Sequence, residues 1–291
     1  MQRYYFAILT LVLLGACARP ITNFSVPADA VAAKPMVFSN ETQKATSYLW
    51  DFGDGQTSTD ESPTHRYFSS GTFAVKLVAT DANGKQAAKE KKVTVSPPKQ
   101  CLVLIKTPMG DMIGEIFDST PQHQDNFVKL IEQHYYDSLL FHRVIQGFMI
   151  QGGDPDSKGA PAGKMLGSGG PGYTIKAEFL DSLAHIKGAI AAARTNNPQK
   201  RSSGSQFYIV QGRPVTDQDL NQKEGQHGFR YPSHIRKSYL EMGGTPFLDQ
   251  EYTVFGRIIE GLEVIDEIAA TSTNTANRPN EDVWMIIRLI R

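Results

Sequence analysis

The chain has 291 residues, 40% hydrophobic and 10% aromatic, which is enough for packed cores and more than one typical domain needs, so two modules are expected. Formal net charge is zero, and from residue 101 onward 19 Lys and Arg stand against 22 Asp and Glu, so no basic stripe offers itself to nucleic acid. The two cysteines, Cys17 and Cys101, lie too far apart for a disulfide framework, and no CxxC or Cys/His cluster suggests zinc.

The chain opens "MQRYYFAILTLVLLGACARP", with Arg3 ahead of an apolar stretch at 6–14. That stretch falls short of the roughly 20 helical residues a bilayer span requires, so residues 1–16 read as an export signal. Leu14, Gly15 and Ala16 directly before Cys17 resemble the lipobox of bacterial lipoproteins. The resemblance implies a lipidated Cys17 as mature N-terminus and a protein anchored in the bacterial cell envelope, at the outer membrane facing periplasm or cell surface. Residues 17–32, small and polar with two prolines, suit a tether. Cys101 is then a lone thiol, read as a small hydrophobe opening a strand.

Residues 33–97 look all-β. "GTFAVKLVAT" places Phe73, Val75, Leu77 and Ala79 at period two, and "KKVTVSPP" puts Val93 and Val95 on one face before Pro97. The Asp-Gly and Asn-Gly pairs of "DFGDGQ" and "DANGKQ" tolerate the positive φ of tight turns. "YLWDFGDGQTS", "PTHRY" and "GTFAVKLVAT" resemble the PKD family, immunoglobulin-like β-sandwiches common in exported proteins, and Trp50 to Gly55 carry the match. Asp51 and Asp54 could be read as calcium ligands, but satisfying backbone N–H groups in a tight turn is the stronger account, and Trp50 is read as core. "SPPKQ" at 96–100 is a short proline-rich joint, with 98–100 taken as the linker.

From Cys101, "CLVLIKT" and "MIGEIFD" read as strands joined by a turn at Gly110 and Asp111. Thr120 is a candidate N-cap with Pro121 at the first helical position, and Phe127, Leu130, Ile131 and His134 form one inward face. "LLFHRVI" and "FMIQGG" follow as strands, with Met149 and Gln151 on one face opposite Ile150. Arg143 stands in this apolar run with no carboxylate before Asp154.

"FHRVIQGFMIQGGDP" resembles the signature of cyclophilins, peptidyl-prolyl cis/trans isomerases. Further matches follow in order: "GSGGPGYTIKAEF", "GAIAAAR", "GSQFYIV" and "FLDQEYTVFGRIIEGLEVID". The fold implied by both resemblances is mainly β: an N-terminal immunoglobulin-like sandwich, then, over 101–291, a cyclophilin-like closed β-barrel with flanking helices. The implied chemistry needs neither metal nor cofactor. An X-Pro amide loses its C–N resonance on rotating, against a barrier of about 18–20 kcal/mol. A donor aimed at the proline nitrogen favours the twisted state, and an acid partner would weaken that donor, which accounts for an unpaired Arg143.

By the resemblance, Phe148, Met149, Tyr208 and Leu248 line the proline pocket, and Gln151 orients Arg143. Ala193, Arg194 and Gln206 bind the substrate backbone, while Phe247 and Tyr252 complete the aromatic wall. Tyr208 stands where the family often has Phe, Phe247 where many members have Trp, Tyr252 where many have His, and Arg194 replaces a frequent Asn. The implied partners are proline-containing peptides and unfolded or exported proteins.

Residues 212–244 have no counterpart in compact cyclophilins. Thr216 and Ser233 are candidate N-caps, and Gly243 would close a helix over about 234–242. The segment is either a structural flap or a substrate-selecting wall. Gly167, Gly169 and Gly172 fit G-x-G-x-x-G, but "YTIKAEF" reads as loop and strand, so no dinucleotide site is expected. His142 is read as a satisfied structural histidine. The competing function is an envelope-anchored binding protein, with the PKD-like module used for adhesion and the cyclophilin fold as a non-catalytic peptide scaffold. The intact Arg143, Phe148, Met149 and Gln151 set argues for the enzyme.

Overall fold

The structure, a computed structural model, describes residues 19–291. Cys17 and the expected export signal at 1–16 lie outside the described residues. The described chain divides between Ser96 and Pro97 into two compact units.

The first unit has a four-stranded antiparallel sheet in the order Thr57–Ser58, Ser47–Asp51, Gly71–Thr80, Gln86–Val95. Two short pairs, Phe24–Ser25 with Ser39–Asn40 and Met36–Val37 with Thr64–His65, accompany it. Period-two alternation buries Val75, Leu77 and Ala79, and Phe73 stacks on Tyr67 at 4.2 Å. Trp50 is fully buried, meets the Phe24 ring edge-on at 5.1 Å, and donates from Nε1 to the Asp60 carbonyl at 3.0 Å. Its one polar group is thus satisfied inside the core. In the "DFGDG" turn, Asp51 and Asp54 accept the N–H groups of Gly53 and Gln56 at 2.9 and 3.1 Å, and the other Asp54 oxygen meets His65 Nε2 at 2.9 Å. Gly53 has φ +76°, and a Cβ there would lie 2.8 Å from the Ala74 carbonyl oxygen, so the position requires glycine.

Of the tether expected over 17–32, the described part, 19–32, is packed into the first unit. Phe24, Ala30 and Ala32 are buried, the Ser96 N–H donates to the Ala30 carbonyl at 2.8 Å, and the Ala32 N–H donates to the Ser96 carbonyl at 2.9 Å. Covering Trp50 removes apolar ring surface from water, and this draws the segment into the unit.

The second unit is built on a nine-stranded antiparallel sheet. Its order is Leu139–Leu140, Trp284–Ile290, Cys101–Thr107, Gly110–Ile116, Val254–Glu260, Ala189–Ala192, Phe207–Val210, Met149–Gly152, Arg143–Ile145. The two edge strands are separated in the chain only by Phe141 and His142, so the sheet curls until its edges approach. They do not pair. The Phe141 N–H donates to the Val283 carbonyl at 2.9 Å and the Val144 N–H to the Asn277 carbonyl at 2.8 Å. The expected closed barrel is therefore corrected to a curled, open sheet, because the C-terminal loop satisfies the seam's backbone groups.

Helix α1 (Pro121–Glu132) contributes Phe127, Leu130 and Ile131 to the main core. Thr120 precedes it, but its hydroxyl donates to the Phe117 carbonyl instead of capping. The Glu178 carboxylate caps the helix by accepting the N–H groups of Gln122 and His123, each at 3.1 Å. His134, expected on the inward face, lies beyond the last helical residue with φ +55° and is exposed. The buried histidine of this helix is His123.

Within 212–244, α2 (Asp217–His227) begins at a Thr216–Asp219 capping box, and α3 (Ser233–Met242) runs up to Gly243. Ser233 is the first residue of α3, and Pro232 holds the N-cap position. Helix α4 (Leu262–Ala269) seals the main core with Val264, Ile265 and Ile268. Alternation separates two faces of the central strands. Ile150, Ile190 and Ile209 enter that core, whereas Met149, Ala191 and Tyr208 form a second cluster on the opposite face, where the candidate site lies.

Candidate active site

Arg143, Phe148, Met149, Gln151, Ala193, Arg194, Tyr208, Leu248 and Tyr252 line one pocket of about 100 Å³. Antiparallel register sets Arg143 directly across from Gln151 and Gln151 across from Tyr208, so three adjacent strands deliver them to one place. Met149, Tyr208 and Leu248 are buried at its base, and Tyr252 meets Tyr208 edge-on at 5.9 Å. Phe247 is 53% exposed and packs on Phe148 at 5.7 Å, placing it on the rim beside the pocket.

A chain of amides fixes the arginine. Gln206 Nε2 donates to the carbonyls of Gly167 at 3.0 Å and Gly169 at 2.7 Å. Its Oε1 therefore faces Gln151 Nε2, 3.1 Å away, and Gln151 Oε1 in turn accepts from Arg143 Nη1 at 3.2 Å. Among the described residues no carboxylate lies within ion-pairing distance of Arg143, so the remaining guanidinium donors are not taken up by an acid.

Ala193, Arg194 and Gln206, expected to bind the substrate backbone, line the pocket and the cleft beside it. The Ala193 N–H donates to the Gln206 carbonyl at 2.9 Å, and its own carbonyl accepts from Ser203. Arg194 donates through Nε to the Glu251 carbonyl at 3.0 Å and through Nη2 to the Glu251 carboxylate at 3.2 Å, with its guanidinium 4.6 Å from the Tyr252 ring. The Gln206 amide is committed as described. These bonds fix the surface that Ala193, Arg194 and Gln206 present to the pocket. That surface extends into a wider cleft of about 520 Å³, which shares Gln151, Ala193 and Arg194 with the pocket and is walled by Tyr173, Arg201 and Gln206.

His142 is also corrected. It is buried, and among the described residues neither ring nitrogen has a hydrogen-bond partner in good geometry. Burial lowers its pKa, so the neutral ring is favoured. Burial likewise pushes the Tyr208 hydroxyl well above the usual phenol range, with Tyr252 and Asp249 adding to the effect. Sequence reasoning missed His185, whose Nε2 lies 2.9 Å from the Tyr208 hydroxyl. It also missed Asp249, the next residue after Leu248. Nothing in the local sequence distinguishes a buried carboxylate from an exposed one.

The family model for cyclophilin-type peptidyl-prolyl cis-trans isomerases matches residues 102–289, and a PKD domain model matches 17–96. A Staphylococcus haemolyticus protein named as a peptidyl-prolyl cis-trans isomerase is 39% identical over 183 residues, covering 62% of this chain and 86% of that protein. A Streptococcus pyogenes protein named as a bifunctional phosphatase/peptidyl-prolyl cis-trans isomerase is 40% identical over 184 residues, and this chain spans only 37% of its length. A crystal structure of a Cryptosporidium parvum cyclophilin-type isomerase is 25% identical, covers 65% of this chain and 97% of its own, and superposes with a TM-score of 0.48. The chain belongs to the cyclophilin-type peptidyl-prolyl cis-trans isomerase family and carries an N-terminal PKD domain.

Proposed function

We propose that the protein is a prolyl isomerase of the bacterial cell envelope that accelerates X-Pro rotation in exported proteins. The proline ring sits on Met149, Leu248, Tyr208 and Phe148, out of water. As the amide twists, the nitrogen lone pair leaves conjugation and becomes an acceptor, and Arg143 donates an N–H to it. The Gln206–Gln151 relay holds the guanidinium in place before the substrate arrives, so little reorganisation is needed at the barrier. The observation that carries this reading is an arginine at the edge of an apolar pocket, steered by an amide and, among the described residues, without an acid partner.

The envelope location rests on the "LLGAC" boundary, with Cys17 carrying the lipid. The PKD domain, an immunoglobulin-like sandwich in this reading, spaces the isomerase from the membrane. A proline-switch peptide assay on the purified protein tests the chemistry. Arg143→Ala should lower kcat/KM by about 10²-fold or more, the scale of losing one preorganised donor to a transition state. Unchanged turnover in a folded variant would assign the chemistry to another group.

A further inference from the structure

The segment at 212–244 builds a small core of its own from Val215, Leu220, Tyr231, Ile235 and Tyr239 packed with Ala184. A flap that only covered surface would need nothing further. Yet the Tyr231 and Tyr239 hydroxyls both leave that core to donate to one oxygen of Asp249, each at 2.6 Å. The other Asp249 oxygen accepts the His185 N–H at 2.9 Å and meets His185 Nδ1 at 2.6 Å. On the other side of the ring, His185 Nε2 and the Tyr208 hydroxyl share a hydrogen bond at 2.9 Å. Tyr208, His185, Asp249, Tyr231 and Tyr239 are all buried. A carboxylate out of water is tolerated only where several donors face it, and the segment supplies two of them.

A second attachment lies two residues before Asp249. Lys223 of α2 is buried and donates from Nζ to the Phe247 carbonyl at 3.1 Å. Phe247 and Asp249, the residues flanking Leu248, are thus both tied to the segment, and Leu248 and Tyr208 line the same pocket. We propose that residues 212–244 form a positioning element for the proline pocket. Lys223, Tyr231 and Tyr239 hold Phe247 and Asp249, and through Asp249 and His185 they hold the Tyr208 ring, so the segment sets how well the pocket fits the proline ring. The inference rests on the isomerase reading for its ligand.

The test uses the full-length protein and two readouts: turnover of a proline tetrapeptide, and titration of the same peptide for its Kd. Tyr231→Phe/Tyr239→Phe keeps ring volume and removes only the hydroxyls. KM and Kd should rise about tenfold with kcat changed by less than about threefold, because a looser pocket weakens ground and transition states alike. In a Tyr208→Phe background the same pair should add less than about twofold, since the connection is already cut. Tyr239→Phe by itself should move KM in the same direction should the double variant aggregate.

The inference is overturned by a double variant that melts earlier yet keeps native KM and Kd, or by effects that add fully to those of Tyr208→Phe. A native protein that neither turns over nor binds the peptide would remove the isomerase reading first and the inference with it.

Discussion

Gln151→Glu would turn the amide that steers Arg143 into an acid partner, and so tests directly why this arginine is unpaired. The change is nearly isosteric, and the oxygen now accepting from Nη1 at 3.2 Å would carry charge. At that separation the Coulomb energy is about 1.3 kcal/mol in a water-like dielectric and about 5 kcal/mol at an effective dielectric of 20. Arg143 is half-buried, so the value lies between these limits. Part of it opposes donation to the proline nitrogen, and a loss of about 10- to 100-fold in kcat/KM at neutral pH is expected, at 1.4 kcal/mol per tenfold. The Gln151 donor to Gln206 also disappears, so Gln151→Met, which removes the relay without adding charge, is the necessary comparison; it should lose only about three- to tenfold. The pH dependence separates the two. Beside the guanidinium the introduced carboxylate has a depressed pKa, so acidification through that value neutralises it, and activity relative to the native protein should recover as pH falls. Gln151→Met should show no such recovery. Native turnover at neutral pH in Gln151→Glu would refute the electrostatic account.

In the second unit, burial holds the His123 pKa below its ordinary value even though Glu178 pulls the other way. Burial raises Glu178, but the His123 ring and the two helix N–H groups outweigh it and leave the carboxyl below its usual range. In both cases the unfolded chain takes up more protons on acidification, so stability should fall first below the ordinary histidine range and then below the ordinary glutamate range. Denaturant melts across pH check this, and Glu178→Gln should flatten the lower part. Gly53→Ala forces a side chain into left-handed backbone against the Ala74 carbonyl, and calorimetry should show the first unit losing about 1–3 kcal/mol. Cys17→Ser should release the protein from membranes, and the intact mass of the native mature chain should begin at a lipid-modified Cys17; an unmodified start would end the anchor proposal.

Where spacing and composition carry the physics, the chain was readable. Alternation in "GTFAVKLVAT" marks Val75, Leu77 and Ala79 as one buried face, and the separation of Met149 and Gln151 from Ile150 follows from strand period alone. At α2 the capping was local too: Thr216, read as an N-cap, caps the helix and closes a box with Asp219 three residues on. The lone cation among apolar neighbours at 141–150 singled out Arg143, because an unpaired charge in such a setting requires a reason.

Other features depend on residues far apart in the chain, where no period or propensity links them. Glu178 caps a helix 55 residues earlier, displacing the Thr120 that local reasoning preferred. Phe24 joins the first core because Trp50 offers a partner, so a segment with the composition of a tether becomes structure. The seam of the sheet stays open because carbonyls at 277 and 283 reach its N–H groups first. The same holds for Asp249: its neighbours in sequence are ordinary, and only the packing of 212–244 surrounds it with two tyrosines and a histidine that connect it to Tyr208. Sequence by itself determined the strand faces, the turns and the cation. The tertiary structure decided which buried polar groups satisfy one another, because hydrogen-bond satisfaction depends on distance in space and is blind to separation along the chain.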